Sequence, residues 1–373
     1  MTSPTVSAPR RSTTGPGEAV RANVPLRLLI VDDSPVARAV LSRMISAYKE
    51  FEVVALAANA REAIETLRSI AVDIVLLDVE MPGTSGIQAL PQILEEGDGA
   101  QVLIVSSICE DGAEATVKAL ALGAADTLPK PGTGNFVGRF AEVLAERLRK
   151  IGRARRELED AASRGGRAHM ANLRRLPVER PACLALGAST GGLHALTEFF
   201  TALPRRIGVP ILITQHLPPV FMPFFARQIE AVAGRPAHVA RPGMRLRPDE
   251  IIVASGEAHI GLCRHGNHVS VTLDDTPASS GCMPSVDIML DAVAEIYGEN
   301  GLGVILSGMG RDGLIGSARL VDRGGAVIVQ DQETCAVWGM PRVVADAELA
   351  SAILTPAELA ECVASLAHGD LWK

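Results

Sequence analysis

The sequence predicts an α/β protein made of two doubly wound, parallel-sheet domains in series. Three observations predict it. Short apolar runs alternate with amphipathic helical stretches, the pattern of a parallel sheet covered on both faces. The alternation is broken once, by an Arg-, Ala- and Gly-rich stretch at about 152–180, and 373 residues exceed one ordinary core. Chemically reactive side chains also recur just beyond apolar runs, where open α/β sheets place their sites.

The first series follows a Ser-, Thr-, Pro- and Gly-rich tail, residues 1–24, that reads as disordered. Leu26–Val31 is an apolar strand, and Pro35 stands where a first helical turn tolerates proline. Helices are expected at Val36–Tyr48, Arg61–Ser69, Ile87–Leu94 and Ala113–Leu122. Between them come strands Val53–Ala57, Asp73–Leu77 and Gln101–Val105, with a weaker one around Ala125–Leu128. A last helix begins near Val137 and runs into the charged, barely amphipathic Arg147–Arg156. This places a first domain at 25–147 and a partly helical linker at 148–180.

The second series, 181–370, has strands at Cys183–Leu186, Pro210–Thr214, Gly303–Leu306 and Ala326–Gln330. Its helices are expected at Leu193–Thr201, Met222–Ala233, Val286–Tyr297, Leu314–Asp322 and Pro356–Leu366. A β-rich insertion is expected over His238–Leu273, with Ile251–Ala254 and His268–Leu273 as short strands.

Bulk properties narrow the function. A net charge of -7 gives no basic footprint and argues against nucleic acid as the main partner. No run approaches the roughly 18 apolar residues of a membrane span, and the N-terminus lacks the apolar core of a secretory signal, so a cytoplasmic protein without membrane insertion is expected. Cys109, Cys183, Cys263, Cys282, Cys335 and Cys362 form no C-x-x-C pair, which suits reduced thiols.

In the first half, Asp32-Asp33 ends the first strand, Asp78 the third and Ser106 the fourth, while Lys130-Pro131 follows the fifth. In a parallel sheet these side chains converge at one edge. Three carboxylates repel one another unless a cation sits among them, and oxygen-only ligands suit Mg2+. One carboxylate can then attack a phosphodonor, with Ser106 donating to the phosphoryl group and Lys130 neutralising it. Singly, Asp-Asp after a strand would read as a helix cap and Lys130 as a surface charge. Together with Leu29–Ser34, Leu77–Gly83 and Val105-Ser106-Ser107, these residues resemble a response-regulator receiver domain of flavodoxin-like fold over about 25–145. The resemblance implies Asp78 as phosphoacceptor, with Asp32, Asp33 and the Glu80 carbonyl helping to hold Mg2+, and a histidine kinase or other phosphodonor as partner. Thr127 stands where receivers often carry an aromatic, and Ser85 where many carry Asp.

In the second half, Ser189 in Gly187–Gly192, His216 in Gln215–Pro218 and Asp312 in Gly308–Gly313 each follow an apolar run. Ser, His and Asp are the parts of nucleophilic acyl transfer: imidazole takes the serine proton and a carboxylate fixes the imidazole tautomer. The glycines around Ser189 permit a tight strand-to-helix turn whose free N–H groups can receive an oxyanion. The same glycines could form a phosphate or dinucleotide loop. However, no lysine follows, and the next strand ends in Gln215-His216 rather than an acid. His259, Cys263, His265 and His268 are spaced closely enough for zinc, though their alternation fits a solvated β-hairpin as well. The glycines before Asp312 suggest close backbone approach.

With Pro284–Asp287, Ser307–Gly313 and Gly339-Met340-Pro341, the chain resembles the chemotaxis protein-glutamate methylesterases: a receiver joined to a Rossmann-like methylesterase domain. The resemblance implies Ser189 as nucleophile, His216 as base, Asp312 as orienting acid, and the Thr190 and Met309 backbone N–H groups as oxyanion donors. It also implies methyl-accepting chemoreceptors as substrate, hydrolysis of glutamyl methyl esters, deamidation of receptor glutamines, and no cofactor for the esterase. Gly281-Cys282-Met283 stands where more basic residues often precede the proline. A receiver-controlled binding module without catalysis is the competing reading.

Overall fold

The computed structural model describes residues 24–106, 110–130, 137–163, 172–176 and 179–369. The expected disordered tail, apart from Val24, and Ser107, Cys109 and Pro131 lie outside them.

The first sheet comprises β1 (Leu26–Val31), β2 (Phe51–Ala57), β3 (Ile74–Leu77), β4 (Gln101–Ser106) and β5 (Asp126–Pro129). Its order is β2-β1-β3-β4-β5, and every neighbouring pair is parallel. Helices α1 (Pro35–Ile45), α2 (Ala60–Leu67), α3 (Gly86–Glu96), α4 (Glu110–Ala121) and α5 (Val137–Ser163) connect and cover it. Local chemistry sets the helix starts. The Ser34 hydroxyl accepts from Ala37 N–H, Asn59 Oδ1 from Glu62 N–H at 3.0 Å, and Ser85 and Gln88 form a reciprocal capping box. The helix α5 continues unbroken through the charged stretch that follows Arg147. Leu148 and Ile151 of that stretch are fully buried against the first sheet, and ion pairs such as Lys150–Glu146 at 2.5 Å support its outer surface.

The second sheet has order β14-β13-β12-β6-β7-β9-β8 and is also parallel throughout. Its strands are β6 (Cys183–Ala188), β7 (Ile211–Gln215), β8 (Ala237–Val239), β9 (Ile251–Val253), β12 (Gly301–Ile305), β13 (Ala326–Gln330) and β14 (Ala350–Leu354). The antiparallel hairpin β10 (His259–His265) and β11 (His268–Asp274) stands apart. Helices α6 (Gly192–Ala202), α7 (Met222–Ala233), α8 (Val286–Tyr297), α9 (Leu314–Asp322), α10 (Met340–Asp346) and α11 (Pro356–His368) complete the unit.

The expected β-rich insertion is therefore corrected. Strands β8 and β9 belong to the main sheet, and only the hairpin is inserted. Two elements have no counterpart in the sequence reading, β14 and α10. The run Ala350–Leu354 is small and mixed in polarity, and α10 opens with Met340-Pro341, which reads as a turn until proline is seen in the first helical turn.

Three apolar clusters hold the fold. One lies between the first sheet and α1 and α5, another between the second sheet and α8, α9 and α10. The third is continuous across both domains, joining the α2–α4 face of the first sheet to the α6, α7 and α11 face of the second. Four of the chain's eight phenylalanines, Phe199, Phe200, Phe221 and Phe225, are fully buried there. Each contributes roughly 1.5–3 kcal/mol of burial, and half of the chain's phenylalanines serve this one cluster.

Candidate active site

Strand β6 lies between β7 and β12, so the second sheet changes direction of winding at its centre. That switch point is where the carboxyl ends of parallel strands open a crevice. Ser189 follows β6, His216 follows β7 and Asp312 follows β12 by way of the Ser307–Gly310 loop. All three line one cleft of about 850 Å³.

The serine turn is fastened on several sides. Ser189 N–H donates to Ser307 O at 3.0 Å, and Ser189 O accepts from Gln215 Nε2 and Gly192 N–H, both at 2.8 Å. Ser307 Oγ donates to Thr190 O at 2.8 Å. The expected close approach of the glycines is present: a Cβ on Gly308 would stand 2.9 Å from Ser189 Cβ and 2.4 Å from Met340 Sδ. Gly191 takes φ +74 beside Ser307 and Ala336, a conformation that favours glycine. Among the described residues, no protein acceptor is found for the backbone N–H of Thr190 or of Met309.

His216 Nε2 and Asp312 Oδ2 are 2.8 Å apart. Asp312 is 1 % exposed and accepts three further hydrogen bonds. Ser285 Oγ and Asp287 N–H donate to Oδ1 at 2.7 and 3.2 Å, and Val286 N–H donates to Oδ2 at 2.7 Å. These donors are the cap and first turn of α8, so the carboxylate sits on a helix N-terminus. Asp287 answers in kind, accepting from Gly313 and Gly316 N–H at the start of α9 at 2.9 and 2.8 Å. Burial pushes the Asp287 carboxyl up, and the adjacent Asp312 charge pushes the same way. Burial opposes ionisation of Asp312 too, but His216, Ser285 and Val286 hold it well below the usual carboxylate range. Burial would lower the His216 pKa, yet its contacts with Asp312 and Cys282 outweigh that and raise it to about 9.

Sequence reasoning missed the roles of Ser285 and Asp287, although a serine followed by an acidic first turn is a helix-start signal. It also missed Gln215 as the clamp on the serine turn. The zinc alternative is not assembled. His259 is buried, its Nε2 donating to Thr276 O at 2.9 Å while Nδ1 accepts from Ser285 N–H at 2.8 Å, so it steadies the Ser285 cap. Among the described residues, metal-capable clusters occur only at His216–Cys282–Asp312 and Asp32–Asp33–Asp78.

The second of these clusters is the expected pocket of the first domain. Oxygens of Asp32, Asp33 and Asp78 lie within 4.8 Å of one another. Lys130 Nζ bridges Asp32 Oδ2 at 2.9 Å and Asp78 Oδ2 at 2.6 Å. Glu80 N–H donates to Asp78 Oδ1 at 3.3 Å, placing its backbone beside the cluster. Burial pushes the Asp78 carboxyl up while Lys130 pulls it down. Ser106 is buried, and its Oγ pairs with Thr116 Oγ1 at 2.7 Å.

The first domain adjoins the Ser189 cleft. Asp126 of β5 and Glu146, Arg147 and Lys150 of α5 form one wall of the cleft that holds Ser189. Gly191 N–H donates to Ala125 O at 2.7 Å, and Thr190 Oγ1 donates to Asp126 Oδ2 at 3.2 Å. Arg147 pairs with the same Asp126 carboxylate. The residues next to the nucleophile are thus held by β5 and the segment leading into it.

A family model described as CheB methylesterase matches residues 184–363, and one described as a response regulator receiver domain matches 28–137. The chain is 36 % identical, over 362 residues, to the protein-glutamate methylesterase/protein-glutamine glutaminase of Nitrobacter hamburgensis, covering 93 % of this chain and 95 % of that one. The chain belongs to the CheB methylesterase family. The corresponding enzyme of Trichodesmium erythraeum is 35 % identical and covers 90 % of this chain and 97 % of its own length. Among solved structures, the Thermotoga maritima CheB methylesterase catalytic domain is 33 % identical, covers 50 % of this chain and 98 % of that chain, with a TM-score of 0.49. In this CheB-family chain both matched regions carry their own clustered site.

Proposed function

We propose that the protein is a receiver-controlled hydrolase that removes methyl esters from glutamates of chemoreceptors and deamidates receptor glutamines. The observation that carries this reading is the His216–Asp312 pair, 2.8 Å apart, in one cleft with Ser189. Its substrate class follows from the relatives, which are named protein-glutamate methylesterase/protein-glutamine glutaminase. Ser189 attacks the γ-carbonyl carbon and His216 takes its proton. Thr190 and Met309 N–H groups receive the carbonyl oxygen as it gains charge, and His216 returns the proton to the leaving methanol or ammonia. Water, deprotonated by His216, then releases glutamate. Asp312, fixed by α8, keeps the imidazole oriented throughout.

In the first domain Asp78 is the proposed phosphoacceptor. The clustered oxygens of Asp32, Asp33 and Asp78 fit a hard divalent cation of the Mg2+ type, with the Glu80 carbonyl as a further ligand. Bound there, Mg2+ would offset the repulsion between the acceptor carboxylate and an incoming phosphoryl group. Lys130, already on Asp78, would turn to the phosphoryl oxygens, and Ser106 would leave Thr116 to donate to them. A histidine kinase or small phosphodonor supplies the group.

A fluorophosphonate probe tests the esterase site against a non-catalytic module. It should label the chain at Ser189, read by peptide mass, and His216→Ala should suppress the labelling. Absence of label at Ser189 in native protein would favour the binding module.

A further inference from the structure

The loop before α8 brings a third ligating side chain to the His216–Asp312 pair. A His216 nitrogen, the Cys282 sulfur and an Asp312 oxygen lie within 4.8 Å of one another, on the wall of the Ser189 cleft. Acyl transfer by Ser189 has no use for this thiol. The loop nevertheless holds it in place: Gly281 N–H donates to Ala278 O at 2.9 Å and Cys282 N–H to Ser280 Oγ at 3.3 Å. Sulfur, nitrogen and oxygen donors from three separate segments form the ligand set of Zn2+ and related thiophilic cations. Donors about 2.0–2.3 Å from one tetrahedral ion stand nearer together than 4.8 Å. His216 Nε2 and Asp312 Oδ2 are already 2.8 Å apart, and rotation of the half-buried Cys282 side chain would bring its sulfur to the same ion. Asp312 needs no such movement, since Ser285, Val286 and Asp287 already fix its oxygens, as the outer partners of metal-bound carboxylates do. The fourth position would face the cleft.

We propose that Cys282, His216 and Asp312 form a site for a thiophilic divalent cation, Zn2+ being the type, and that occupancy switches the hydrolase off. Binding replaces the Cys282 thiol proton, and a second proton leaves when His216 starts as imidazolium. With its nitrogen held by the ion, His216 no longer accepts the Ser189 proton. The binding half stands on geometry alone; the inhibitory half rests on the proposed esterase reading.

The test titrates chelator-treated, full-length protein with Co2+, a spectroscopic stand-in for Zn2+, and follows thiolate-to-metal charge-transfer absorption. One equivalent should develop the band, Zn2+ should abolish it, and Cys282→Ser should weaken binding by more than about 100-fold, beyond the loss of an outer-shell partner. Asp78→Asn should keep the band, because the receiver pocket offers only oxygen. A variant-free measurement is iodoacetamide labelling of Cys282 in the native chain, which Zn2+ should slow in proportion to occupancy. No band, a band that survives Cys282→Ser, or labelling indifferent to Zn2+ would overturn the site. Formation of the band with ester hydrolysis unchanged would overturn inhibition while leaving the esterase intact. A chain that binds the ion but hydrolyses no ester under any condition would instead count against the esterase reading.

Discussion

At Asp312 four donors converge on one carboxylate: the His216 ring, the Ser285 hydroxyl and two backbone N–H groups of α8. The carboxylate therefore stays ionised, and together with Cys282 it keeps a proton on His216 up to about pH 9. A base must be neutral to take the serine proton, so kcat/KM of the chelated enzyme should climb with pH through neutrality towards 9. An acidic limb near the ordinary histidine value of 6.5 would contradict that coupling. The stability term has the opposite slope. Since folding raises this pKa, the imidazolium stabilises the fold fully below 6.5, and that contribution is lost as the pH rises through about 9. Asp312→Asn should cost on the order of 10⁴-fold in kcat by upsetting the tautomer. Ser189→Ala and His216→Ala should each fall as far as the double variant, because the triad acts as a unit. Additive losses in the double variant would count against a shared mechanism.

The helices α8 and α9 exchange carboxylates, Asp312 capping the first and Asp287 the second. Asp287→Ala would leave the buried Gly313 and Gly316 N–H groups without their acceptor, at a cost of about 1–3 kcal/mol. Because Asp312 precedes Gly313 directly, hydrolysis should fall along with the denaturation midpoint, and Asp287→Asn should recover part of both. Unchanged thermal and kinetic behaviour in Asp287→Ala would refute the exchange. The sequence made the strands of this site legible, because Cys183–Leu186 and Gly303–Leu306 are apolar runs that end in glycine turns. Contacts across 25 residues, such as Asp287 to Asp312, leave no trace in local periodicity. The helix α10, and the membership of β8 and β9 in the main sheet, were hidden for a related reason. Three-residue strands and a seven-residue helix opened by proline are too short to show a period, and the sheet and the caps settle their state.

The two domains share one apolar cluster, and α4 of the receiver packs towards α6 and α7 of the catalytic unit. His194 Nδ1 lies 3.1 Å from Ala121 O, and Arg227 pairs with Glu114 at 3.8 Å. This arrangement sets β5 against the Thr190–Gly191 turn, and receiver residues line the cleft beside the proposed oxyanion donor. Covalent tethering holds the receiver at high local concentration, so modest docking would suffice for the proposed inhibition. Phosphorylation of the proposed acceptor Asp78 would add roughly -1.5 to -2 charge at the acidic pocket, drawing on Lys130 just beyond β5. Asp126→Ala, which removes the partner of both Arg147 and Thr190, should raise the resting rate within the typical coupling range of about 5–150-fold. The stimulation by phosphodonor should shrink correspondingly. Thr127 is buried where receivers often carry an aromatic, so this chain has no ring at that position. The most direct measurement is methanol release from methylated chemoreceptor by the full-length chain, with and without a small phosphodonor and Mg2+. Slow release that rises on phosphorylation, stays at the resting rate in Asp78→Asn, and vanishes in Ser189→Ala is the expected result. Methanol release by Ser189→Ala at the native rate, or release that phosphodonor leaves unchanged in the wild type, would contradict a receiver-controlled serine esterase.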